Sequence, residues 1–238
     1  MAVPPTSDEA PTAAQPLRED IQSLWRAFEP LSFELRSRAL RLGEIRATHA
    51  GDLFTPEGEI GVVLSGCLLL DIDHSKASAG VATAGDLVDV GGGASGRWLT
   101  KGSLYQAPVD GFLQEAGDEG LRFLLSAGVK SRRRLERRLA CAMAHPAVSR
   151  IASLLLELDI ACDRAEVPLC QAVVGEMLSL RRTSVNGACR TLRAAGAIRT
   201  VRGRTIVLDR DVLADHACCH QPASDFAVES VLSSSRAA

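Results

Sequence analysis

The chain has 238 residues, enough for one large domain or two ordinary ones. Its 46% hydrophobic and 24% charged residues are a globular balance, and nothing reaches the ~18 consecutive apolar residues a membrane span needs. The net charge of −2 hides an asymmetry: residues 1–129 hold 10 Lys+Arg against 18 Asp+Glu, a net of −8, and residues 130–238 hold 17 against 11, a net of +6, the pattern of an acidic module joined to a nucleic-acid-binding one.

The opening MAVPPTSDEAPTAAQP has neither the basic start nor the apolar core of a secretory signal, so a cytoplasmic protein is expected. Seven cysteines, an odd number without a repeating spacing, fit reduced thiols better than a disulfide framework. Composition predicts disorder over 1–17 and again over 218–238. Ile21, Leu24, Trp25, Phe28, Leu31 and Leu35 fall near helical spacing and predict one or two short helices, interrupted at Pro30. From about 44 to 115 short apolar runs (61–64, 67–72 and 87–90) alternate with glycine-bearing turns, as in a small antiparallel sandwich or barrel. From Gly120 to about Met143 the period becomes helical: Leu121, Leu124, Leu125, Gly128, Arg132, Leu135, Leu139 and Ala142 form a stripe, with Lys130, Arg133, Arg134, Arg137 and Arg138 opposite. Such a stripe needs cover, part of it from the sandwich and the rest from a second copy of the helix.

Residues 169–208 carry seven arginines and one acid, Glu176. In Gln171–Thr191 the apolar slots of a helix–turn–helix are filled by Val174, Leu178, Leu180, Val185 and Ala188, with Gly175 at the close crossing and a turn at Ser179-Leu180-Arg181. The second helix is expected over 182–194, stopped before Gly196. Its outward residues are Arg182, Thr183, Asn186 and Arg190, beside Arg181 and Ser184. Arginine forks onto guanine and asparagine onto adenine, and a helix N-terminus offers N–H groups to phosphate. Two β-branched runs around Gly203 predict a wing whose Arg202 and Arg204 touch phosphates.

The order of these parts resembles the Crp–Fnr superfamily of bacterial transcription regulators. The resemblance is strongest in LRRTSVNGACRTLRAAGAIRTVRGRTIVLDR (180–210) and weaker in AGDLFTPEGEIGVVLSGCLLLDI (50–72). It implies an α+β fold: a β-roll (double-stranded β-helix or jelly roll) over 18–117, a dimerisation helix over 118–145 and a winged helix–turn–helix over 146–217. It further implies a homodimer on a two-fold symmetric promoter site, with double-stranded DNA and RNA polymerase as partners. The sequence holds no Gly-rich phosphate loop, no Ser/His/Asp constellation and no metal box, so no enzyme activity is expected, and no membrane partner. The family's cyclic-nucleotide pocket begins with glycine–glutamate and has an arginine about ten positions on. Here the start reads Gly85-Asp86, residues 91–96 are Gly-Gly-Gly-Ala-Ser-Gly, and Arg97 comes two positions late, which speaks against cyclic AMP or GMP. No cysteine precedes Cys67, against an iron–sulfur centre, and the pair Cys67 and His74 is a weak haem signature. On the reading face only Arg182 matches the common family pattern, and Ser179 replaces a glycine at the turn. No cofactor is therefore expected.

Two rival readings stay open: a redox- or ligand-responsive sensor of the same fold, and a β-roll interaction module with a vestigial DNA domain. Cys141 and Cys162 are expected to pack as small apolar groups. Cys218-Cys219-His220 reads as a tail rather than a metal site. Cys189, next to Arg190, is the first candidate for a redox switch, with Cys170 as a second.

Overall fold

The computed structural model describes residues 14–55, 58–71, 78–88, 95–162, 170–201 and 204–218. Two helices open it, α1 (Ala14–Ala27) and α2 (Phe33–Leu42), separated around Pro30. The first starts inside the stretch whose composition predicts disorder; the rest of that stretch, 1–13, lies outside the described residues.

Eight strands follow: β1 (Glu44–Thr48), β2 (Leu53–Phe54), β3 (Glu59–Ser65), β4 (Leu68–Asp71), β5 (Ser78–Ala82), β6 (Leu87–Val88), β7 (Ser95–Trp98) and β8 (Gly102–Pro108). They form two antiparallel four-stranded sheets, ordered β1-β8-β3-β6 and β2-β7-β4-β5. Phe54, Val63, Leu68, Ala82, Val88, Trp98 and Leu104 fill the space between them. Strand β3 reads as a continuous apolar run because both of its faces are covered. Val63 points into the sandwich, whereas Ile60, Val62 and Leu64 meet Leu24, Phe28 and Tyr105 on the helical side. Gly61 is fixed by space: a Cβ there would lie 2.7 Å from Val88 Cγ2. Tyr105 is buried, its hydroxyl donates to the Ala39 carbonyl, and burial pushes its ionisation up to about 12.

The long helix α3 spans Val109–Ala144, broken at Gly117 (φ 51°, ψ −137°). Its expected start at 118 coincides with that break. The chain is nevertheless helical from Val109, a turn and more that Gly111 and Gly117 disguise as loop. This first segment packs Phe112 and Ala116 into the helical-side core, and Glu119 accepts a hydrogen bond from Ser32 N at the start of α2.

Past Gly117 the helix shows two characters. Phe123 and Leu124 are buried on the roll side, while Leu121, Leu125, Val129, Leu135, Leu139 and Met143 are exposed along one stripe. The basic face is not simply solvated. Arg134 pairs with Asp86 at 3.0 Å, and Arg138 Nη2 donates to both carboxylate oxygens of Glu157 at 2.7 Å. Both pairs are partly buried, and they tie α3 to the turn before β6 and to the next helix.

Beyond His145-Pro146 come α4 (Ala147–Ala161), α5 (Gln171–Leu178), α6 (Arg182–Ala194), the hairpin β9 (Ile198–Val201) and β10 (Arg204–Val207), and α7 (Arg210–His216). One apolar cluster holds this unit together. It includes Ile151, Leu155, Leu158, Val174, Met177, Val185, Leu192, Ile198 and Leu213, and it takes in Cys67, Leu69 and Val81 from the roll. Arg210 on α7 is ion-paired with Asp159 on α4, and Asp209 caps α7 by accepting from Asp211 N and Val212 N.

Candidate nucleic-acid interface

The second helix of the pair, α6, is amphipathic. Val185, Ala188, Cys189 and Leu192 are buried at i, i+3, i+4 and i+7, so the remaining faces turn outward. Arg182, Thr183, Asn186 and Arg190 are all exposed, and so are Arg181 and Ser184 at its start. Six of the eight residues singled out in the sequence thus stand on one solvent-facing surface. Three of them are cations at the N-terminal half of a thirteen-residue helix or one turn beyond. Arg181 takes the N-cap position in extended conformation without a side-chain cap bond.

The scaffold under this face is set by the turn. Of the expected apolar slots, Val174, Val185 and Ala188 are buried; Leu178 and Leu180 are partly buried at the rim. A Cβ on Gly175 would stand 3.2 Å from the Leu180 carbonyl oxygen and 3.4 Å from Val185 Cγ2, which is why a small residue sits at the crossing. Ser179 adopts φ 51°, ψ 45°, the left-handed region, and its N–H donates to the Glu176 carbonyl at 3.2 Å. Arg150 on α4 donates to the Leu178 carbonyl at 2.6 Å and satisfies the end of α5. At the other end of α6, Gly196 (φ 79°) reverses the chain and Ala197 N donates to the Leu192 carbonyl at 3.0 Å.

The wing is an antiparallel pair with Arg204 opposite Val201 and Val207 opposite Ile198. Arg204 is exposed; Arg202 and Gly203, the expected tip, lie outside the described residues. Arg199, which the sequence reading passed over, is exposed on β9 next to buried Ile198. The signal was available: in a half-buried strand the neighbour of an inward residue points outward.

Helix, turn, second helix and wing on a roll with a long intervening helix are now in place. Residues 149–216 match the family model described as the Crp-like helix-turn-helix domain. The chain has the Crp/Fnr-family fold. A Crp/Fnr-family protein from Eubacterium rectale superposes with a TM-score of 0.66 at 13% identity, over 79% of this chain and 96% of that one. FixK2 from Bradyrhizobium japonicum gives 0.60 at 16% identity, over 74% and 98%. A transcriptional regulator of the Crp/Fnr family from Thermus thermophilus gives 0.61 at 19% identity, over 73% and 98%. No curated protein matches the chain. The Crp/Fnr architecture and the helix-turn-helix domain together support a DNA-binding, transcription-regulator role.

In the roll of this Crp/Fnr fold, Gly85 (φ 92°) turns the chain and Asp86 is already engaged. Its Oδ2 accepts from Thr83 N at 2.8 Å and its Oδ1 accepts from Arg134 of α3. Residues 91–94, where the resemblance would seek a phosphate-binding arginine, lie outside the described residues. Arg97 is exposed on β7 and interacts electrostatically with Asp71, whose carboxyl is pushed up mainly by burial. His74, the weak haem partner of Cys67, also lies outside the described residues, as do Cys219 and His220. Among the described residues no three His, Cys, Asp or Glu side chains gather as a metal site, and no helix is long and apolar enough to cross a membrane.

The cysteines depart from expectation. Cys189 is buried beneath α6 and burial pushes its thiol up, the reverse of what a reactive sulfur needs. Cys162 is buried as expected but shares a thiol hydrogen bond with Cys67 of the roll. That bond and burial push the Cys67 thiol well above the ordinary range. Cys141 is half-buried and faces Cys218 rather than an apolar wall.

Proposed function

We propose that this chain is a homodimeric transcription regulator that reads a two-fold symmetric DNA site. The observation that carries it is the exposed cationic and polar face of α6 on a buried helical scaffold. Each α6 enters the major groove of one half-site, the two lying about one helical turn apart. Arg182 reads a base, helped by Thr183, Asn186 and Arg190, while Arg181, Ser184, Arg202 and Arg204 hold phosphates and fix register. Arg199 adds a cation beside the wing.

The dimer forms along α3. Leu121, Leu125, Leu135 and Leu139 recur at the spacing of a two-helix seam and lie in solvent in the single chain. An apolar stripe of this length between charged flanks is suited to a second copy of itself. In such a dimer the roll works without cyclic nucleotide, iron–sulfur cluster or haem; toward a cyclic nucleotide, the carboxylate at its turn is already paired with Arg134. RNA polymerase is the partner at the promoter.

Selection of bound fragments from a random duplex pool tests this reading. The expected yield is a palindromic consensus whose half-site centres lie about 10 base pairs apart. Recovery of sequences without symmetry, or binding that does not weaken as salt is raised, would overturn it.

A further inference from the structure

The end of α3, the middle of α4 and the residues after α7 converge on two sulfurs. Cys141 lies in the last turn of α3, and its Sγ is 2.9 Å from the Sγ of Cys218. Ser153 of α4 completes the group: its Oγ accepts from Cys218 N at 2.9 Å and lies 3.1 Å from Cys218 Sγ. Both cysteines are thiols. Cys218 is only 5% exposed, whereas Cys141 is half-buried and reachable from solvent. We propose that Cys141 and Cys218 form a modification site for hydroperoxides, in which oxidation joins them as a disulfide that clasps the winged unit to the long helix.

The chemistry follows from the arrangement. The Cys141 thiolate attacks one oxygen of hydrogen peroxide, breaking the O–O bond, giving a sulfenic acid and releasing hydroxide, which takes up the thiol's proton as water. Cys218 Sγ then displaces the hydroxyl from the Cys141 sulfur, loses its own proton, and a second water leaves. Two thiols are oxidised by two electrons and one peroxide is reduced to two waters. The Ser153 contacts hold Cys218 beside Cys141, so the resolving step needs the sulfurs to close by only ~1 Å to a disulfide bond length.

The consequence is topological. The two cysteines are 77 positions apart, and the loop they would close contains α4, α5, α6, the wing and α7. Their bond would stitch the far end of the winged unit back to its point of departure. Cys67 with Cys162, and Cys189, are the internal comparison, because each is buried in the shared apolar cluster away from a soluble oxidant.

The proposal stands independently of the DNA-binding reading, and its test uses no DNA. The reduced full chain is treated with stoichiometric hydrogen peroxide, remaining thiols are alkylated, and peptides are mapped by mass spectrometry. The expected product is a dithiothreitol-reversible link between the peptides holding Cys141 and Cys218. It should persist in Cys219→Ser and be absent from Cys218→Ser and Cys141→Ser. The oxidised chain should melt several degrees higher than the reduced one, and Cys141→Ser should lose that shift while keeping the melting temperature of the reduced native chain. A Cys141–Cys141 link between two copies, a link abolished by Cys219→Ser, or alkylation of both thiols after peroxide would each overturn the assignment. The native chain alone decides the last case, so an unfolded variant cannot mask the outcome.

Discussion

Replacing Arg182 and Arg204 separately by alanine distinguishes reading from holding. Both side chains are exposed, so neither substitution opens a cavity, and each variant should melt within ~0.5 kcal/mol of the native chain. Arg182 lies on the first turn of α6; Arg204 lies on the wing. A bidentate guanine contact discriminates by about 1–3 kcal/mol, so a dimer that loses Arg182 from both half-sites should lose about 2–6 kcal/mol on its own operator. On an operator already changed at that base pair it should lose little. Three guanidinium groups per protomer assigned to phosphates give roughly six contacts in a dimer and a slope of log K against log salt of about −5. Arg204→Ala should shorten that slope by about 2 and weaken every sequence alike. Fluorescence anisotropy over a salt series, on the selected operator and on point variants, measures both. If Arg182→Ala weakened all variants equally and Arg204→Ala changed base preference, the division of roles would be wrong.

Three further outcomes follow from particular contacts. Ser179→Gly should stabilise the chain by about 0.5–1 kcal/mol, since glycine carries no Cβ penalty at φ 51° and gives back part of the gain as unfolded-chain entropy; Ser179→Ala, with the Cβ kept, should show no such gain in thermal unfolding. Leu139→Glu places a charge on the exposed α3 stripe, and sedimentation should then record a monomer at concentrations where the native chain is dimeric; a dimer unchanged in affinity would remove that stripe from the interface. Arg138→Ala leaves the Glu157 carboxylate without its donor and should cost about 1–3 kcal/mol, with Glu157→Gln costing less; equal stability in urea titrations would show the pair to be idle.

The helical pair was legible because its demands are local. Val174 and Leu178 on α5, and Val185 and Ala188 on α6, each repeat at helical spacing, and Gly196 ends α6 where a reversal was expected. The sandwich was legible as a texture but not strand by strand. Two-residue strands such as Leu53–Phe54 and Leu87–Val88 carry too few alternations to identify, and β3 hides its period because both faces are covered. The first turns of α3 were missed because two glycines lie within nine residues. The cysteines were misjudged for a different reason. Sequence can place Cys189 beside Arg190, but on a helix adjacent residues diverge by about 100°, so an exposed Arg190 implies a differently facing neighbour. Nothing local could pair Cys141 with Cys218, 77 positions away, or Arg134 with Asp86.

The strand pair β4–β5, with Cys67 just ahead of it, lends Cys67, Leu69 and Val81 to the same greasy centre that seats Val185 under the reading helix. A fragment beginning at Pro146 would be cut through that centre and leave it wet on one side. The winged portion of this protein is accordingly not a cassette to be lifted out and grafted elsewhere, and an excised version should clump unless those three side chains are replaced by another lid. Conversely, any shift in that strand pair reaches the underside of α6 through touching side chains, without a flexible tether in between.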